Sequence, residues 1–320
     1  MRRIATHLQK FGVAVTVLVA QTPLEEALAQ VTAFRPDILH AFHAFKAGIF
    51  AFSLSQAVAI PFVVTLTGTD VHEDLHHSER GQQVRQVLEA AAAITVFSEA
   101  IAEELTSLLP SVRAKVHIVP QGVWFPPQEN WEVRSHLNIP TSVPVLLLPA
   151  NIRKVKRPLL AVEGTAKLRE RGFKAHLLLA GDILEREEGE RVIAALRNAS
   201  WAHYLGSVPM ERMASVYRAA DIVLNTSEHE GGMANALLEA MWLERPVLAS
   251  RVPGNQSFLR DGETGLLFDT ADELAYKAEQ LLTDAKLRQR LVRCAKAWVQ
   301  NHCDPTTEAQ RYLQVYASIR

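Results

Sequence analysis

Short apolar runs that alternate with helix-period segments constrain this chain more than any other feature. VAVTVLVA (13–20), DILHAF (37–42), PFVVTLT (61–67), AITVFS (93–98) and VHIVP (116–120) read as buried strands. A second series follows: VPVLLLPA (143–150), KAHLLLAG (174–181), AHYLGS (202–207), DIVLNTS (221–227), RPVLAS (245–250) and GLLFD (265–269). Helical patterns such as RQVLEAAA (85–92), ASVYRAA (214–220) and ALLEAMWLE (236–244) lie between them. Strand and helix in turn imply right-handed crossovers and mainly parallel sheets, so the class is α/β. Two series imply two sheets.

The break between them falls in QGVWFPPQENWEVRSHLNIPTSVP (121–144), where Pro126, Pro127, Pro140 and Pro144 interrupt any period. The expected division is an N-terminal domain over residues 1–125 and a C-terminal domain over 126–304. The last pattern, TTEAQRYLQVYASIR, is expected as a helix over 305–320 that packs back on the first domain. At 320 residues the chain is long enough for two cores.

Charge and cysteine content exclude several partners. With 34 Lys plus Arg against 35 Asp plus Glu, no electrostatic excess favours nucleic acid. Two cysteines, Cys294 and Cys303, make neither a disulfide framework nor a zinc cluster, which points to a reducing, cytoplasmic location. The opening MRRIATHLQKFGVAVTVLVAQ imitates a secretory leader, but His7, Gln9 and Lys10 interrupt the run where it should be continuous. It reads as an amphipathic helix over 2–11 and a buried strand over 13–20. AGIFAFSLSQAVAIPFVVTL (47–66) is broken by Ser53, Ser55, Gln56 and Pro61, so no transmembrane segment is expected.

In open parallel sheets, ligands sit beyond the carboxyl ends of the strands, so the loops that follow strands carry the chemistry. NIRKVKRP (151–158) places Arg153, Lys154, Lys156 and Arg157 directly after a strand. Arg153 and Lys156 stand about one helical turn apart and can aim at one diphosphate; a solvated charged turn is the other reading. EHEGG (228–232) follows another strand and leads into a helix near Met233 or Ala234. Gly231 and Gly232 permit close backbone approach, and the first helical amides suit a phosphate. Glu239 then sits amid Ala236, Leu237, Leu238, Ala240, Met241, Trp242 and Leu243. A partly buried carboxylate needs a partner: either an internal salt bridge or, the preferred reading, a ligand hydroxyl.

The basic turn, the acidic Gly-containing loop, LLEAM (237–241) and RPVLASRVPGNQSFLRDGETGLLFD (245–269) together resemble the retaining glycosyltransferases of family four, over nearly the whole chain. GTDVHED (68–74), NIRKVKRP and LEAMWLERPVLASRVPGN are similar to one group within that family, the glycosyltransferase 1 domain-containing protein 1 group. The resemblance implies a GT-B fold, two Rossmann-like domains facing a central cleft. It implies a nucleotide-diphosphate sugar, UDP- or GDP-linked and of hexose type, as co-substrate, with no metal and no cofactor. The acceptor, a small molecule, a glycan or a lipid-linked compound, stays unassigned.

By the same resemblance Arg153, Lys156 and Glu230 form the catalytic set, with the two cations neutralising the leaving group. Gly231, Gly232, Met233, Ala234, Glu239 and Gly206 bind the donor, Glu239 through the ribose hydroxyls. Thr67, Gly68, Thr69, Asp70, His43 and Ser98 lie on the acceptor side. Three departures stand out. The segment between Glu230 and Glu239 is one residue longer than the family pattern, Thr67 replaces a histidine found in many relatives, and the first strand of the N-terminal sheet is expected to be missing. A non-catalytic nucleotide-sugar or glycan-binding protein and a GT-B sugar-nucleotide epimerase are the alternative functions.

Overall fold

The computed structural model describes residues 1–230 and 232–319. The chain forms two compact units, one of residues 1–122 with 303–320, the other of 123–302.

In the first unit, β1 (Leu39–Phe42), β2 (Phe62–Thr65), β3 (Ala93–Val96) and β4 (Val116–Ile118) pair in parallel in that order. Every residue of β2 and β3 is buried. That is why they read as unbroken apolar runs: helices cover both faces of the sheet. Adjacent residues still divide between the faces. Val64 packs with Leu54, Val84 and Leu88, whereas Val63 packs with Ile4, Leu8, Tyr312 and Val315. The second set belongs to the helices Arg2–Lys10 and Pro305–Ser318. Arg3 joins these two by a bidentate pair to the buried Glu308 carboxylate, at 2.7 and 2.9 Å.

One expected strand does not form. Residues 13–20 make no ladder, and Val17 and Val19 are exposed. Val13 and Val15 rest on one core and Leu18 on the other, so the segment crosses between the two faces of the sheet. An apolar run records an appetite for burial, but a strand also needs a neighbour whose amides and carbonyls are in reach. Among the described residues none pairs with it.

The second unit holds β5 (Val145–Pro149), β6 (His176–Ala180), β7 (Ala202–Tyr204), β8 (Ile222–Asn225), β9 (Val247–Ser250) and β10 (Leu266–Phe268), all parallel in the order β10-β9-β8-β5-β6-β7. Both units are therefore Rossmann-like α/β halves. In the second, strand order runs outward in both directions from the β5–β8 pair. Loops leaving these two strands diverge to opposite faces and open a crevice between them.

Among the described residues no helix is long and apolar enough to cross a membrane. Both cysteines are free. Burial pushes the Cys303 thiol up to about 12, which leaves it protonated and inert.

Candidate functional site

The crevice residues come from the loops after β5 and β8. Beyond β5 a single tight turn, Lys154–Lys156, leads through Arg157 in a left-handed conformation (φ 42°) to the helix Pro158–Glu170, whose first-turn proline needs no amide partner. Three of its four cations have distinct tasks. Arg157 donates Nε to Thr226 O at 2.8 Å and Nη2 to Ser227 O at 3.3 Å. Thr226 Oγ1 donates in return to Lys156 O at 2.6 Å, and Glu228 N to Val155 O at 2.8 Å. Arg157 thus knits the two loops together. Arg153 Nε lies 3.3 Å from Glu185 Oε1, whose other oxygen accepts from Lys154 N at 2.8 Å. Lys156 has a different partner, and its Nζ donates to Glu230 Oε1 at 2.6 Å.

Glu230 is the hub of the second loop. The oxygen that meets Lys156 also accepts from Asn225 Nδ2 at 2.8 Å and Ser227 Oγ at 2.6 Å. Asn225 closes the last rung of β8 and receives Ser227 N on its own Oδ1 at 3.0 Å, so one asparagine ends the strand, shapes the turn and holds the carboxylate. Beneath the loop, Ser250 Oγ donates to Ser227 O at 2.6 Å, and the buried Asn255 donates to Ser250 O at 3.0 Å. A side chain at Gly254 would put Cβ 2.2 Å from Glu230 O, so the VPGN stretch supports Glu230 by letting the two backbones touch.

Gly231 lies outside the described residues. Gly232 and Met233 are half-buried and Ala234 is buried. Ala234 stands at the N-cap of the helix Asn235–Trp242 and has no side-chain acceptor to cap its first amides, which suits this terminus to an anion. Glu239, half-buried on the same helix, accepts the Tyr217 hydroxyl at 2.7 Å on Oε2. This partner is a phenol, whose pKa burial raises far above the ordinary range, assisted by the carboxylate itself.

Gly206, after β7, has φ +67° with open space around its Cβ position, so backbone conformation calls for glycine there. Its carbonyl accepts from Gly181 N at 2.8 Å. Gly181, which sequence reading passed over, must be glycine, because a Cβ there would lie 2.3 Å from Ala150 O at the mouth of β5. A glycine directly after a buried strand was the available signal. Asn225, Ser227, Tyr217 and Arg157 were equally unmarked as partners.

In the first unit the expected residues also gather at strand ends. Asp70, fully buried, accepts from Ala44 N (2.7 Å), Thr67 N (2.8 Å) and Thr67 Oγ1 (3.0 Å). Gly68 supplies the φ of +106° that this turn requires. His43 follows β1 with φ +87°, a strained value for a side-chain-bearing residue. Lys46 N donates to its Nδ1 at 3.2 Å, so the neutral ring carries its proton on Nε2, 3.1 Å from Thr69 Oγ1. Asp70 and Asp74 each lie 3.6 Å from one ring nitrogen, and Arg80 neutralises Asp74 at 2.7 Å. Ser98 caps the helix Glu99–Leu108, accepting from Ile101 N at 3.5 Å. A cavity of about 560 Å³ lies among Pro144, Asp221, Arg245 and Arg288, at the amino ends of the second sheet and so away from these loops.

Residues 129–298 match the family described as Glycosyl transferases group 1, and residues 23–122 match a Glycosyl transferase 4-like domain. The Glycosyltransferase 1 domain-containing protein 1 of Xenopus tropicalis is 28% identical over 327 residues, 99% of this chain and 93% of that protein. The N-acetyl-alpha-D-glucosaminyl L-malate synthase of Bacillus anthracis is 26% identical over 88% of this chain and 75% of its own. Among solved structures, Anabaena HepE in complex with UDP-glucose superposes with a TM-score of 0.80 at 18% identity, covering 98% of this chain and 88% of that one. The sucrose-phosphate synthase of Thermosynechococcus elongatus gives 0.75 at 23% identity over 92% and 77%.

Proposed function

This chain belongs to the glycosyl transferases group 1 family, and from that premise we propose that it is a retaining glycosyltransferase that moves a hexose-type sugar from a UDP- or GDP-linked donor without a metal ion. The observation that carries the reading is the meeting of Lys156 and Glu230 at the carboxyl ends of β5 and β8, ahead of a helix whose N-cap residue is an alanine. There a diphosphate finds an ammonium and helix amides, with Arg153, held by Glu185 in the ligand-free chain, as the second cation. As the bond between the anomeric carbon and the phosphate oxygen breaks, negative charge grows on the leaving diphosphate, and fixed positive groups stabilise it more than they stabilise the ground state. Glu239 receives the ribose hydroxyls, and Glu230 stands at the sugar. In the ligand-free state Glu230 holds Lys156, so the incoming diphosphate shares or displaces a preformed ion pair. The relatedness to the glycosyltransferase 1 domain-containing group and the two free cysteines support a cytoplasmic enzyme of that group.

Thermal unfolding with UDP-, GDP- and ADP-glucose, each with and without EDTA, tests the reading. A ligand at about a hundred times its Kd adds about 2.7 kcal/mol, a shift of several degrees. The expected result is a shift from one nucleotide series, unchanged by EDTA and lost in Arg153→Ala and Glu239→Ala. No shift from any donor would overturn it, and product formed without any acceptor would turn the assignment to an epimerase.

A further inference from the structure

Glu239 is held by a residue whose chemistry packing alone does not require. Tyr217, on the helix Met210–Ala219, is only 1% exposed, and its ring meets Phe125 edge-on at 6.3 Å. Phenylalanine would fill the same space. The one atom that tyrosine adds is a hydroxyl, costly to bury unless bonded, and that hydroxyl donates to Glu239 Oε2 at 2.7 Å.

We propose that Tyr217 is a positioning residue for the nucleotide: it fixes the Glu239 carboxylate in the rotamer that receives a ribose diol, without touching the nucleotide itself. This rests on the donor-site reading of Glu239 given above. The phenol stays protonated because burial and the adjacent carboxylate both oppose its ionisation, so it is a constant donor across working pH. Accepting it occupies one of the roughly four lone-pair sites of a carboxylate, so this bond does not itself exclude hydroxyl donors on the others. A carboxylate that has lost this restraint must give up more freedom when ligand arrives, which weakens binding. The tether runs between two helices of the same unit, Met210–Ala219 and Asn235–Trp242, so it is set when that unit folds.

The experiment compares UDP with 2′,3′-dideoxy-UDP by calorimetric titration, with GDP and ADP pairs run alongside, on the wild type, Tyr217→Phe, Glu239→Ala and the double variant. Tyr217→Phe is expected to lose about tenfold in affinity for the ribonucleotide and none for its dideoxy analogue, and to add nothing in the Glu239→Ala background. Donor KM rises by the same factor while kcat holds. Equal weakening toward both nucleotides would mean a structural role only and would overturn the proposal, as would no weakening where Glu239→Ala does discriminate. Failure of Glu239→Ala to separate the two nucleotides, or no binding of any of the three diphosphates, would remove the ribose reading and this proposal with it. Tyr217→Met carries the same comparison if circular dichroism shows the phenylalanine variant unfolded.

Discussion

Lys156→Met separates what the ammonium does for folding from what it does for chemistry. In the folded chain Nζ is 2.6 Å from Glu230 Oε1, with 26% of the lysine side chain and 10% of the glutamate side chain exposed. An abandoned buried charge costs about 3–5 kcal/mol, but Glu230 would not be abandoned. Asn225 and Ser227 still donate to the same oxygen, at 2.8 and 2.6 Å. What disappears is one charged hydrogen bond, worth about 1.5–3 kcal/mol, and the partial exposure of the lysine moves the value to about 1–2 kcal/mol. A unit of this size then melts a few degrees lower, on the order of 2–8 °C, and remains folded at 25 °C. The chemical loss is larger. One donor removed from a developing charge costs about 3–4 kcal/mol, or roughly 10²–10³ in kcat. Release of nucleoside diphosphate at 25 °C, alongside a thermal melt, measures both. A folded Lys156→Met enzyme whose kcat stays within about threefold of the wild type would refute the leaving-group role, because no ordinary stability loss can mask or mimic that result.

Other perturbations test the support beneath the site. His40 has both ring nitrogens bonded, Nδ1 to Tyr316 OH at 2.6 Å and Nε2 to Thr65 Oγ1 at 2.7 Å, and burial lowers its pKa from 6.5 to about 3. Unfolded chain therefore takes up a proton that the native state refuses, so its contribution is complete above pH 6.5 and lost as pH falls toward 3. About 2 kcal/mol should be gone at pH 5; urea unfolding at pH 7.5 and 5.0 should show it, with a flatter dependence in His40→Gln, and identical slopes would count against it. Gly254→Ala gains up to about 1 kcal/mol of helix propensity, yet the new Cβ would sit 2.2 Å from a backbone oxygen of Glu230 that cannot simply rotate away. Overpacking of about 1–3 kcal/mol wins, so both stability and donor affinity should fall; an alanine variant as stable and as tight-binding as the wild type would contradict the close approach.

The sheets were legible because parallel strands buried on both faces announce themselves as unbroken apolar runs, as PFVVTLT and VPVLLLPA do. The run at 13–20 has the same composition and makes no strand, since composition cannot report whether a partner lies within hydrogen-bonding distance. The loops after β5 and β8 could be marked in advance, because strand order in a parallel sheet decides where a crevice opens, and strand ends can be read locally. Partnerships between loops could not. Arg157 sits one residue from Lys156 in a run of like charges, and nothing in that run says that one guanidinium will face two backbone carbonyls while its neighbour faces Glu230. In ASVYRAA, Tyr217 has the spacing of an ordinary core residue; its hydroxyl acquires meaning only when a second helix brings Glu239 to within 2.7 Å. Periodicity specifies which face of an element is buried, whereas the chemistry of a buried polar atom depends on the atom opposite. A carboxylate in an apolar helix therefore states from sequence that a partner must exist, and only the fold can say that part of the requirement is met by a phenol inside the protein.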